Sequence, residues 1–161
     1  MDPALFRRVL GHLPTGVTVI TAHHESGPVG MSSNSVTSVS LAPPLLLFCA
    51  ALDSETWPKI RETGRFCVNV FASHHEDFAR RFARRGVDRF ELVAIHPRSA
   101  GPGLDDAVAW IDCEIAEIHP GGDHSIVVGA VVEVEARPDT DPLVFFRGVY
   151  GSFAPPGSRD N

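Results

Sequence analysis

The sequence predicts a mainly β fold: an antiparallel barrel with a few short α-helices. Three observations predict it. About seven segments read as strands, being β-branched, alternating or continuously apolar. The helical stretches are short and do not alternate with the strands as a doubly wound parallel sheet requires. The 161 residues include 14 Gly and 13 Pro, too many turn formers for a helical bundle and too few for a low-complexity chain. An antiparallel barrel satisfies all three.

The elements follow in order. Asp2 caps a first helix with Pro3 at its first position, and Leu5, Phe6, Val9, Leu10 and Leu13 recur at helical spacing as one apolar face. Pro14-Thr15-Gly16 ends it, Val17 to Thr21 reads as a strand, and His23 to Pro28 reads as a polar turn. Val29 to Leu41 is extended and rich in Ser and Asn, and Leu45 to Leu52 has the continuous apolar character of a strand buried on both faces. Ser54 can cap a short helix reaching Thr63, with Gly64 as its stop.

Phe66 to Phe71 is another strand. Ser73 and Glu76 have the spacing of a capping box, opening a helix with Phe78, Ala79, Phe82 and Ala83 on one face and Arg80, Arg81, Arg84 and Arg85 on the other. Residues 91 to 105 are connection. Ala109 to Ile118 and Ser125 to Ala136 are long strands flanking a Gly-Gly-Asp-His turn, and Leu143 to Phe146 and Val149 to Phe153 form a last pair. The expected organisation is one domain over residues 1–154 and a disordered polar tail over 155–161.

Composition excludes several functions. The net charge is −6 and no basic stripe is present, so nucleic acid is not an expected partner. Cys49, Cys67 and Cys113 are odd in number and widely spaced, which argues against a disulfide framework and a zinc or iron–sulfur site. No apolar stretch approaches the length of a membrane span, and the N-terminal residues lack signal-peptide character. The expected location is cytoplasmic. No Gly-x-Gly-x-x-Gly, P-loop, nucleophile elbow or His-Glu-x-x-His occurs, and no metal site is expected of the adjacent pairs His23-His24 and His74-His75.

Four segments remain as candidate chemistry. Gly30 to Ser40 crowds hydroxyls and amides into an extended stretch: either a solvated edge strand or a surface for a polar heterocycle or a phosphate. Ser54-Glu55-Thr56 is either a plain helix cap or a cradle of backbone N–H groups for phosphate. Arg89 can pair with a phosphate or be tied down by its neighbour Asp88. His124 is either incidental to a hairpin or a hydrogen-bonding group projected from a barrel rim.

Taken in order, these segments resemble the short-chain flavin reductase family, whose fold is an FMN-binding split β-barrel of Greek-key type. The resemblance rests on Pro14-Thr15-Gly16-Val17-Thr18-Val19-Ile20-Thr21, Gly30-Met31-Ser32-Ser33-Asn34-Ser35, and Thr37-Ser38-Val39-Ser40-Leu41-Ala42-Pro43-Pro44-Leu45. It continues through Phe66-Cys67-Val68-Asn69-Val70, Asp88-Arg89-Phe90, Gly122-Asp123-His124 and Phe146-Arg147-Gly148-Val149-Tyr150-Gly151. Each piece is common, whereas the ordered set, spanning roughly residues 5 to 153, is specific.

The resemblance implies NAD(P)H-dependent reduction of free FMN or FAD, with NADH or NADPH as hydride donor. It also implies a homodimer that passes reduced flavin to a separate monooxygenase. By the same resemblance Ser32, Ser33, Asn34, Ser35 and Val36 line the isoalloxazine with Ser38 beside them, and Asp53, Ser54 and Thr56 hold ribityl and phosphate groups. Phe82 and Arg89 lie near the flavin, His124 positions the nicotinamide, and Tyr150 stands near the same mouth. Ser33 replaces the alanine common in the family. No catalytic acid or base is obligatory, because hydride transfer needs orientation and stacking rather than proton transfer. The alternative implied by the same segments is a flavin-binding or electron-relay protein without nicotinamide turnover.

Overall fold

The computed structural model describes residues 1–137 and 139–153, so the expected tail at 155–161 lies outside the described residues. Asp2 caps α1 (Pro3–Leu10) as expected, its Oδ1 accepting the Ala4 N–H at 2.9 Å. Then come β1 (Thr15–Gly16), β2 (Thr18–His24), β3 (Gly27–Ser33), β4 (Thr37–Leu41), β5 (Pro44–Ala51) and α2 (Trp57–Thr63). The chain continues through β6 (Arg65–Val70), a 3-10 turn at Ser73–His75, α3 (Glu76–Ala83), β7 (Ile95–His96) and β8 (Gly103–Leu104). It ends with β9 (Ala109–Gly121), β10 (His124–Ala136), β11 (Leu143–Phe146) and β12 (Val149–Ser152).

Seven strands form one antiparallel sheet in the order β3-β2-β6-β9-β10-β5-β4. Its outer strands, β3 and β4, are consecutive in the chain, with Asn34, Ser35 and Val36 alone between them. From Ser33 to Thr37 the backbone reaches at most about 14 Å. The outer strands of a flat seven-stranded sheet would stand about 28 Å apart. The short link therefore forces the sheet to curl until its edges approach, and β3 and β4 share no ladder in the described residues. The barrel is closed by the chain and split along that seam.

Two cores fill it. Ile20, Met31, Phe48, Phe66, Val68 and Val127 pack with Trp57 and Ile60 of α2 inside the curl. Val17, Val19, Phe71, Phe82, Leu104 and Leu143 form the second, between the sheet and α3. Each fully buried side chain of this size contributes about 2–3 kcal/mol of transfer free energy. Gly129 is required by close approach: a Cβ there would stand 2.5 Å from Phe66 Cζ, beside a register shift between β9 and β10.

Several expectations are corrected. The stretch 29–41 is two strands broken at the seam, because the link must turn from one sheet edge to the other. The polar turn expected over 23–28 shrinks to two residues, with His23 and His24 inside β2. β5 is buried on one face only: Leu46, Phe48 and Ala50 are buried, whereas Leu45, Leu47, Cys49 and Ala51 are half-buried. The Ser73–Glu76 box does not form; His75 Nδ1 accepts the Ala72 N–H at 3.3 Å instead. The 91–105 connection holds the short pair β7 and β8.

A polar clamp pins that connection to the sheet. Asp112, fully buried on β9, accepts from Arg98 Nε at 2.7 Å and from the Ala100 N–H at 3.0 Å. Asn69 accepts the Leu104 N–H at 2.7 Å, and Thr21 Oγ1 donates to the Pro102 carbonyl at 2.7 Å. Burial, and then the Asp112 carboxylate, push the Cys113 thiol up to about 12 and raise Cys67 as well, so neither is a nucleophile. Among the described residues no helix is long and apolar enough to cross a membrane.

Candidate functional site

A cleft of about 330 Å³ opens at the seam, within the range of small-molecule sites. Ser32 and Ser33 at the end of β3, with Asn34 and Ser35 of the link, supply one part of its lining. Cys49 and Ala51 of β5, then Asp53 and Ser54 before α2, supply another. Phe82 and Ala83 of α3, Arg85, Arg89 and His124 complete it with Met31 and Glu55.

The hydroxyls are organised by the seam. Ser35 Oγ accepts the Cys49 N–H at 2.8 Å and lies 3.0 Å from Ser33 Oγ, so side chains bridge the link to β5 where no ladder does. Thr18 Oγ1 donates to the Ser33 carbonyl at 2.7 Å and fixes the end of β3. Asn34 is exposed and free to present its amide. The buried Phe82 ring sits against Gly30, where a Cβ would stand 2.8 Å from Phe82 Cε1, and meets Phe90 edge-on at 5.2 Å. Gly30 is thus fixed by close approach.

The cations differ in their partners. Arg85 Nη2 pairs with Asp53 Oδ2 at 2.6 Å. Arg89 instead donates to neutral acceptors: the Gly30 carbonyl at 2.8 Å, the Arg84 carbonyl at 2.7 Å and the Thr56 hydroxyl. Asp88 does not tie it down; Asp88 Oδ1 accepts the Phe90 N–H at 3.0 Å. Burial pulls the Arg89 guanidinium below its ordinary value, with Glu55 opposing, and it remains a cation at neutral pH. A half-buried cation with no carboxylate partner among the described residues favours an arriving anion.

His124 opens β10 after a two-residue turn in which Gly122 has φ 72°, a conformation that favours glycine. Its Nδ1 lies 2.7 Å from Asp123 Oδ1, and this contact holds the Asp123 carboxyl below the usual range. A carboxylate only accepts, so Nδ1 carries hydrogen and Nε2 is left for a ligand. The Asp123 carbonyl also accepts the Leu52 N–H at 3.0 Å, tying the rim to the end of β5.

Nine of the residues expected from the sequence thus meet in one cleft: Ser32, Ser33, Asn34, Ser35, Asp53, Ser54, Phe82, Arg89 and His124. The other four do not line it. Thr56 is buried behind it under Arg89, Val36 packs on the inner core, and Ser38 is exposed on β4. Tyr150 lies on the separate β1-β11-β12 sheet, 5.1 Å from Phe145 and beneath the Arg80 guanidinium.

Of the two readings of Ser54-Glu55-Thr56, the structure gives the helix cap: Ser54 Oγ accepts the Thr56 and Trp57 N–H groups at 3.2 and 3.1 Å. Anion recognition therefore falls to side chains. Six further lining residues, Met31, Cys49, Ala51, Glu55, Ala83 and Arg85, were not expected individually to meet a ligand. Met31 and Glu55 lay within the candidate segments Gly30 to Ser40 and Ser54-Glu55-Thr56, and Arg85 on the polar face of its helix, whereas Cys49, Ala51 and Ala83 carry no local signal. This donor set of hydroxyls, one amide, an aromatic ring and two guanidinium groups suits a planar polar heterocycle with an anionic tail.

Comparison with known proteins decides the family. The Flavin reductase like domain model matches residues 10–154. The chain belongs to the flavin reductase-like family. It is 43% identical over 156 residues to a flavin reductase of Pseudomonas putida, covering 96% of this chain and 92% of that one. It is 42% identical over 158 residues to the reductase subunit HsaB of a flavin-dependent monooxygenase of Mycobacterium tuberculosis, covering 96% and 84%. Among solved structures it is similar to the Streptomyces globisporus NADH:FAD oxidoreductase SgcE6 in complex with NAD and FAD fragments. That match has a TM-score of 0.92 at 39% identity and covers 97% of this chain and 95% of the other.

Proposed function

We propose that this flavin reductase-like protein is an NAD(P)H:flavin oxidoreductase. It reduces free FMN or FAD by direct hydride transfer and supplies reduced flavin to a separate monooxygenase. The observation that carries the reading is that His124 lines the same cleft as the Ser32–Ser35 wall and the cations Arg85 and Arg89. That cleft holds no nucleophile–base pair, and this reaction needs none. When bound, the flavin supplies the ring nitrogen that accepts hydride from the nicotinamide. The protein's own residues bind and orient.

In this reading Ser33, Asn34 and Ser35 address the polar edge of the ring system, and Phe82 supports it from α3. Asp53, Ser54 and Arg89 hold the ribityl and phosphate groups, with Thr56 fixing Arg89 from behind. His124, oriented by Asp123, positions the nicotinamide. Two copies form a homodimer, supported by the N-terminal apolar face: Leu5, Phe6, Val9 and Leu10 of α1, with Leu13 just beyond it, are all exposed in the single chain. The protein works in the cytoplasm, consistent with three free thiols at Cys49, Cys67 and Cys113. The deciding experiment mixes purified protein with NADH or NADPH and excess FMN or FAD. Flavin-dependent loss of the reduced nicotinamide absorbance is expected, and its absence with every pairing refutes the reading.

A further inference from the structure

The hydroxyls at the seam have a direction. β4 pairs with β5 only as far as Thr37 opposite Leu47. Beyond that point the Cys49 N–H is met by a side chain, Ser35 Oγ at 2.8 Å. The hydrogen of the Ser35 hydroxyl has two oxygens near it among the described residues, Ser33 Oγ at 3.0 Å and the Cys49 carbonyl at 3.4 Å. The first lies within the ordinary O–H···O range and the second outside it, so Ser35 donates to Ser33. The Ser35 N–H also faces Ser33 Oγ, at 3.4 Å. A serine hydroxyl has two acceptor positions and one hydrogen. Both acceptor positions of Ser33 are turned to Ser35, and its hydrogen has no protein acceptor among the described residues. Ser33 is buried at the cleft wall, with its carbonyl held by Thr18 Oγ1.

We propose that Ser33 is a one-way hydrogen-bond donor that makes the cleft hold reduced flavin more tightly than oxidised flavin, with Ser35 as the positioning residue that sets its direction. The proposal rests on the flavin reductase reading and deepens it from binding to discrimination between substrate and product. Hydride transfer brings two electrons and one proton to the flavin substrate, and the nicotinamide leaves as the oxidised cation. The ring system thereby gains one unit of negative charge. A hydrogen bond to a charged acceptor is about twice as strong as one to a neutral acceptor. The run from the Cys49 N–H through Ser35 to Ser33 polarises each O–H in the same sense and adds to the preference. The alanine common at position 33 in the family carries no such hydrogen, so the preference belongs to this chain.

The test titrates oxidised FMN and dithionite-reduced FMN into the protein without oxygen and takes the ratio of the two dissociation constants. Ser33→Ala is expected to weaken reduced FMN about fivefold more than oxidised FMN, which lowers the bound two-electron potential by about 20 mV. Ser33→Thr, which keeps the hydroxyl, restores the ratio. Ser35→Ala moves the ratio the same way by less, because Ser33 keeps its hydrogen and loses only its orientation. A ratio unchanged in Ser33→Ala, or both forms weakened equally, overturns the proposal while the reductase reading stands. An unmodified protein that binds neither form of the flavin overturns both.

Discussion

At the residue scale the Asp123–His124 contact separates two kinds of binding. Asp123 holds His124 Nδ1 at 2.7 Å and leaves Nε2 free of it, and in the proposed function that nitrogen is the one that meets the nicotinamide at the rim. His124→Ala is expected to raise the nicotinamide KM by about tenfold or to slow hydride transfer similarly, with flavin affinity nearly unchanged. Asp123→Asn shifts the same parameters less, because the ring survives and only its orientation loosens. Steady-state kinetics beside flavin titration check both, and a collapse of flavin affinity with normal nicotinamide kinetics refutes the assignment.

His75 plays a structural part instead. Burial between Phe71 and Phe78, and then the neighbouring His74, lower it from 6.5 to about 4. Between those values the unfolded chain takes up a proton that the native protein refuses. Stability is therefore full above about pH 6.5 and is lost as the pH falls toward 4, by at most about 3 kcal/mol. Urea midpoints measured across this window are expected to fall in the unmodified protein. They flatten in His75→Gln, which keeps an acceptor for the Ala72 N–H but cannot titrate.

At the element scale the clamp on the 95–104 connection has the largest expected energy. Arg98→Ala leaves Asp112 charged and fully buried with one backbone N–H, at a cost of about 3–5 kcal/mol. Arg65→Ala removes an exposed pair with Glu114 and costs less than about 1 kcal/mol. Equilibrium unfolding of the two variants checks the contrast. This clamp also marks where sequence reading stops. Helix caps, the hairpin turn and the Ser-rich wall were legible because their signals are local. Arg98 meeting Asp112 depends on where a connection folds over a sheet, as does His75 taking the place of the Ser73–Glu76 box. The two-strand character of residues 29–41 was hidden for the same reason: nothing local marks Asn34 to Val36 as a crossing between opposite sheet edges.

At the scale of the whole molecule, the barrel and the cleft were legible through the ordered motif set, and the strand order was not. The apolar face of α1 is the part of the sequence pattern that the single chain leaves unused. Eight-residue helices are marginal alone, and no residue of α1 is buried. Sedimentation is expected to give a dimer, with Phe6→Glu and Val9→Glu shifting it toward monomer; dimers of unchanged strength in both variants place the interface elsewhere.

The three-residue link at the seam carries one more consequence. A barrel held shut by a tether and a few hydroxyls rather than a full ladder can gape along that line, and a molecule lodged there works as a clasp. Closing the hoop and filling the cleft are then a single equilibrium, so ligand concentration sets how rigid the wall is. Amide exchange is expected to slow on adding flavin at the outer strands β3 and β4, while the central pair β6 and β9 hardly changes. Equal slowing everywhere, or none, shows that the hoop is already fastened without its guest.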